Sequence, residues 1–179
     1  MILTHTQLRA IVADGVLTPV PEAHINGASI DVTLGRYVWA EDQRGGIVDL
    51  SAKATPRMFR YDLVEMPYVL TPGEFVLAQT AEVFNLPNDI AIEFKLKSSG
   101  ARSGLDSALA TWGDPGWHNS VLTLELRNNL RHHQLALKAG MKIGQIIFHQ
   151  GAPVPDHASY ATRGQYNNDT TAQPSKGVR

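Results

Sequence analysis

Residues 97 to 105, KSSGARSGL, gather one lysine, one arginine and three serines among small residues, directly after an alternating apolar run. Lys97 and Arg102 supply fixed positive charge, Ser98 and Ser99 supply hydroxyl donors, and Gly100 and Gly104 let backbone amides turn inward. Such parts build either a cradle for phosphates or a solvated polar turn, and the stretch has no P-loop pattern. Two acids follow. In SVLTLELRNN, residues 120 to 129, Leu122, Leu124 and Leu126 fall on one face of a strand while Thr123, Glu125 and Arg127 fall on the other. Glu125 is thus a mid-strand carboxylate. Partly buried, its pKa rises and it can take a proton from water and hand it to a bound ligand; exposed, it pairs with Arg127 or Lys142. Asp114 stands in DPG, a strong turn former, so its structural role is firm and any chemistry is additional.

A zinc site of the Cys/His kind, which turns bound water into hydroxide, has no ligands here: the chain has no cysteine and no His-x-Glu. The seven histidines fall singly or as the adjacent pair His132 and His133, whose side chains point apart in an extended segment. A site of histidines and carboxylates stays open, but a protein-bound transition metal is not the expected reading.

The elements that position these residues are mostly strands. ASIDVTLGRYV, MPYVLTPGEFVLAQT, DIAIEFKLKSS, SVLTLELRNN, QLALKAG and KIGQIIFHQ are short runs of period two, separated by Pro, Gly and Asn. One helix opens the chain, capped by Thr4 or Thr6, striped by Leu8, Ile11 and Val12 and ended by Gly15. Residues 100 to 120 lack sustained periodicity and read as a crossing loop or a pair of irregular strands. In INGASIDVTLG, Asn26 and Gly27 form a tight turn and Asp31 is read as a structural tie. From about Asp156 the chain is polar and turn-rich, and its composition reads as a frayed end.

A length of 179 residues suits one domain, residues 1–179, and 43% hydrophobic with 18% charged residues suits a soluble core-forming chain. Sixteen basic against seventeen acidic residues leave it near neutral, so no nucleic-acid surface is expected. No apolar run reaches membrane length, and the absence of cysteine fits a cytoplasmic location.

INGASIDVTLG, TPGEFVLAQTAEVFNLP, KSSGARSGL, DPGW with LTLELRN, and AGMKIGQIIF occur in the order and spacing of the dCTP deaminase family, part of the trimeric dUTPase-like superfamily. The resemblance runs over about residues 1 to 176. It implies a distorted jelly-roll or β-barrel fold with a short N-terminal helix, and a homotrimer with sites between subunits. The implied reaction is metal-independent hydrolytic deamination of dCTP, or a C5-modified dCTP, to the dUTP product and ammonia, with Mg2+ carried by the triphosphate. Alternatives are dUTP pyrophosphatase action, alone or coupled to deamination, and non-catalytic nucleotide binding; dUTP and dTTP join dCTP as implied ligands. On the same resemblance Glu125 is the catalytic glutamate, and Ser98 and Arg102 flank the pyrimidine and its water. Lys97 occupies a place held in the family by a phosphate-contacting arginine, Gln145 matches a phosphate-contacting glutamine, Asp114 matches an acid that activates water against the α-phosphate in dUTP-hydrolysing relatives, and Ser99 and Trp117 are expected to join them in binding substrate. Gln165 and Tyr166 belong to residues 156–179, a tail that closes over the site.

The chain also departs from the family pattern. SALAT, residues 107 to 111, lacks a histidine, the interval from Arg102 to Asp114 is one residue short, and that from Asp114 to Glu125 is one residue long. Gln165 and Asp169 replace a lysine and a glutamine, and an aspartate near phosphate oxygens repels them unless a cation intervenes.

Overall fold

Alternating leucines with polar neighbours make the longest strands. The computed structural model describes all residues except 108, 109, 111, 178 and 179. It runs from helix α1 (His5–Ala13) into β1 (Leu17–Thr18), β2 (Ile30–Thr33), β3 (Tyr37–Glu41), β4 (Met58–Asp62), β5 (Tyr68–Leu70), β6 (Phe75–Asn85) and β7 (Ile90–Leu96). Helix α2 (Ser98–Arg102), β8 (Leu105–Asp106), β9 (Trp112–Gly113), β10 (His118–Asn128), β11 (Leu135–Leu137), β12 (Lys142–Gln150) and helix α3 (Tyr160–Arg163) follow.

Three antiparallel sheets result. One has the order β4-β3-β6-β10-β8 with β1 also on β6, a second has β2-β12-β7-β9, and β11 pairs with β5. Among the described residues no sheet closes on itself. The first two sheets and α1 share one apolar cluster: Val76, Phe84, Leu124 and Leu126 from the first, Ile92, Phe94, Ile146 and Phe148 from the second, and Leu8 from the helix. Each such side chain contributes roughly 1.5–3 kcal/mol through burial. No described helix is long and apolar enough to cross a membrane.

Local chemistry explains the breaks. Thr4 precedes α1, its N–H donating to Gln7 Oε1 at 3.0 Å, and Gly15 stops the helix at φ +76°. The run ASIDVTLGRYV is cut at Gly35, where an added Cβ would stand 2.8 Å from the Thr80 carbonyl oxygen. Asn119, at φ +49°, is the extra residue of a bulge in β10 between His118↔Asn85 and Ser120↔Phe84. A second register shift follows between Val121↔Val83 and Thr123↔Gln79, before the ladder reaches Glu125. SALAT lies largely outside the described residues.

Two readings change. KSSGAR is neither a loop nor a turn but holds the helical turn α2, with Lys97 just before it. Nor is the tail frayed: Val121 N donates to Asp169 O at 2.9 Å, Ala172 N to Gln79 Oε1 at 3.0 Å and Gln173 N to Thr123 Oγ1 at 3.3 Å, and Ala172 is fully buried. Composition sees a polar segment; β10 and β6 supply the partners that order it.

Candidate active site

Glu125 stands in β10 between the buried Leu124 and Leu126 and opposite Leu77 of β6. Its face opens on a cavity of about 480 Å3, lined also by Thr123, Ala110, Asp114, Trp117 and Tyr166, with Phe75 and Leu77 in the apolar part of the wall. Burial pushes the Glu125 carboxyl above the usual glutamate range, and hydrogen bonds from its own amide and that of Ala110 pull only partly the other way. The expected exposed pairing with Arg127 or Lys142 is not what the chain builds, since Lys142 is engaged by Asp31.

A stability prediction follows from that direction. A folded carboxyl with a raised pKa holds its proton more tightly than the unfolded one, which titrates near about 4.3. The resulting stability is fully present below the unfolded pKa and is lost as pH rises through the folded value. Glu125→Gln does not titrate, so its melting temperature minus that of the wild type should grow between about pH 4 and about pH 8. Glu82 is also buried and raised in pKa by burial, but it is present in both proteins and drops out of the difference. Calorimetry across that range checks this; a flat difference contradicts it.

Asp114 accepts from Trp112 Nε1 at 2.9 Å and from Arg163 Nη2 at 2.9 Å. Trp117 is buried, stacks on Phe84 with ring centroids 5.1 Å apart, and donates its indole N–H to the Tyr166 carbonyl at 2.7 Å. Ser120 Oγ donates to the same carbonyl at 3.0 Å, so Tyr166 is pinned at the cavity edge. Asp169, the acid expected to repel phosphate, has a cation on it: Lys176 Nζ lies 3.0 and 2.8 Å from its two oxygens and 4.8 Å from the centre of the Tyr166 ring. The same ammonium donates to the Gln165 carbonyl at 2.7 Å.

A second polar cluster lies where β2, β12 and β7 run side by side. Asp31, 3% exposed, accepts from Lys97 Nζ at 2.8 Å, Asn26 Nδ2 at 2.8 Å and Lys142 Nζ at 2.9 Å. Burial pushes its carboxyl up, but the bonds from Lys97, Lys142 and Asn26 outweigh burial and hold it below the usual range. Gln145 sits opposite Asp31 in the ladder and accepts from Ser29 Oγ at 2.9 Å. Ser98, Ser99 and Arg102 are exposed on α2.

Within one chain the predicted residues therefore fall into two groups. Glu125, Asp114, Trp117 and Tyr166 line the cavity. Lys97, Ser98, Ser99, Arg102, Gln145 and Gln165 are not among its lining residues. Sequence reasoning did not reach Lys176, Arg163 and Lys142 as members of these groups, and took Asp31 only as a tie. The pairings of Arg163 and Lys142 join residues far apart in the chain, 49 and 111 positions, whereas Lys176 pairs with Asp169 only seven positions away.

Residues 2–151 match the family model described as dCTP deaminase-like. The chain belongs to that family. It is 40% identical over 165 residues to a protein of Acidothermus cellulolyticus, covering 88% of this chain and 84% of the relative. It is 35% identical over 190 residues to one of Streptomyces coelicolor, covering 98% and 95%. Both relatives are named dCTP deaminase, dUMP-forming. That name overturns the expectation, drawn from the family resemblance, of a reaction ending at dUTP: the family pattern alone does not distinguish a deaminase that releases dUTP from one that also cleaves it. A solved 2'-deoxycytidine 5'-triphosphate deaminase from Agrobacterium tumefaciens superposes with a TM-score of 0.65 over 84% of this chain at 24% identity. The match spans 48% of that longer chain. The fold is thus mostly β and dUTPase-like, and membership makes the chain an enzyme of the hydrolase type.

Proposed function

We propose that the protein converts dCTP to dUMP, ammonia and pyrophosphate in one site, using two carboxylates in turn. The observation that carries this reading is the placement of Glu125 and Asp114 around a single cavity, one acid half-buried with a raised pKa and the other fixed in a turn. In the first step Glu125 takes a proton from water as its oxygen bonds to C4 of the cytosine, and delivers protons to N3 and then to the leaving amine; the C4–N bond breaks and ammonia departs. A carboxylate of raised pKa is the stronger base for this task. In the second step a further water attacks the α-phosphorus of dUTP, its proton passes to Asp114, and pyrophosphate leaves with the electron pair of the broken P–O bond. Mg2+ arrives with the triphosphate as part of the substrate, and Lys97 and Gln145, which do not line this chain's cavity, meet its outer phosphates from a neighbouring copy.

The reading includes a homotrimer of jelly-roll-like subunits. Ser98 and Arg102 are exposed on α2 and absent from the lining of the cavity that holds Glu125, which fits their donation to the site of a neighbouring copy. There Arg102 holds the base edge and Ser98 the water. Closure of the tail through Tyr166 shields both steps from bulk water. The names of the relatives support dUMP as product over release of dUTP.

Ammonia and pyrophosphate measured in one reaction on dCTP test the reading. Both should rise together in equal amounts, with dUMP as the nucleotide product. Ammonia with accumulating dUTP, or neither product while dCTP still binds, refutes it.

A further inference from the structure

Asp114 is held from two directions. Trp112 Nε1 donates to Oδ1 at 2.9 Å and Arg163 Nη2 donates to Oδ2 at 2.9 Å. Trp112 comes from β9, just before the turn, whereas Arg163 comes from α3 in the tail, 49 residues beyond Asp114. Both donors are themselves secured. The Trp112 ring packs beside that of His149 with centroids 5.5 Å apart, and Arg163 Nε donates to the Ala158 carbonyl at 3.0 Å. Helix α3 is seated on the DPG turn, where Tyr160 N donates to the Pro115 carbonyl at 3.0 Å. Gly116, at φ +86°, permits this approach, since an added Cβ would stand 2.1 Å from Ser159 Oγ.

A carboxylate oxygen has two lone-pair positions. One donor on each oxygen therefore fixes the plane of the group and still leaves each oxygen a position for water. The Asp114 side chain is 35% exposed, and among the described residues these two donors make its side-chain hydrogen bonds.

We infer that Arg163, together with Trp112, is a positioning residue for pyrophosphate release: it aims the Asp114 carboxylate at the water that attacks the α-phosphorus. This rests on the reading of Asp114 as the base of the second step. In that step the water oxygen bonds to the α-phosphorus, its proton goes to Asp114, and the bond to the bridging oxygen breaks with its electrons leaving on pyrophosphate. Deamination runs through Glu125, which Arg163 does not touch. Because Arg163 belongs to the tail, the aim is complete only while α3 rests on the turn, so cleavage of dUTP is tied to the closed arrangement in which it was formed.

Full-length Arg163→Ala, Arg163→Lys and Trp112→Phe are compared with the wild type on dCTP and on dUTP. In Arg163→Ala, dUMP formed per ammonia released should fall about tenfold or more, because a carboxylate displaced by about an ångström loses its hold on the water. Its kcat on dUTP should fall by a similar factor while KM changes less than about threefold. Arg163→Lys should recover part of the ratio, since an ammonium supplies the charge without the rigid fork. Trp112→Phe keeps the ring beside His149, drops the N–H and should lower the same ratio. An unchanged ratio in Arg163→Ala overturns the inference. So does a KM increase shared by dCTP and dUTP with kcat intact, which makes Arg163 a phosphate contact instead. Wild-type protein that forms no dUMP from either nucleotide overturns the reading beneath it, and that result is visible before any substitution is made.

Discussion

Glu125→Gln is expected to fold, to bind dCTP and to release ammonia at least about a hundredfold more slowly, a loss of about 2.7 kcal/mol of transition-state stabilisation. The amide keeps the shape of the carboxylate between Leu124 and Leu126 and keeps an acceptor for the Ala110 amide. What it loses is the ability to take a proton from water and return it to N3. Water unassisted by a bound metal is a poor nucleophile, so attack at C4 depends on that transfer. Burial sharpens the effect, because it raises the basicity of the carboxylate above that of an exposed glutamate. Steady-state ammonia release and equilibrium binding of dCTP check both halves of the expectation. Near-normal turnover in the variant removes Glu125 from the chemistry.

Asp114→Asn separates the two steps. The asparagine still turns the chain at DPG and can still accept from Trp112 Nε1, but it takes no proton and offers an NH2 where Arg163 needs an acceptor. Formation of dUMP should fall about a hundredfold or more, and dUTP should appear in its place as the product of dCTP. Chromatography of the nucleotides over a time course reads this directly. If dUMP remains the product at its wild-type share, another group serves the α-phosphate.

The strands that place these acids were legible because their burial alternates. β10 alternates buried and more exposed residues from Leu122 to Asn128, as β12 does from Gly144 to His149, and in β10 this pattern fixes which way Glu125 points; β6 and β7 instead contain runs of consecutive buried residues. β8 and β9 have two residues each, too few for any period to show. β4 is half-buried or exposed along its length and so carries no apolar stripe. Helix α2 is concealed by the poor helix formers Ser98, Ser99 and Gly100.

The site divides in the same way. Glu125 and Asp114 were legible one by one, from strand parity and from the turn. Their partners were not, because Arg163 reaches Asp114 across 49 residues and Lys97 reaches Asp31 across 66. Lys176 is a different case, close in the chain to the acid it pairs with. The sequence shows Gln165 and Asp169 where a cation and an amide belong, and an ammonium seven residues beyond Asp169 restores a positive charge beside Tyr166 and offsets the acid. The tail reads as disordered because its partners, Gln79, Ser120 and Thr123, lie on β6 and β10.

Hydrolysis of dCTP in water enriched in heavy oxygen, with mass analysis of every product, tests the two-step scheme most directly. Two attacks by water in one site predict dUMP carrying one heavy oxygen at C4 and one on its phosphate, together with unlabelled pyrophosphate and ammonia. Unlabelled phosphate on a nucleotide that carries label only at C4 contradicts the scheme, as does label appearing in the pyrophosphate.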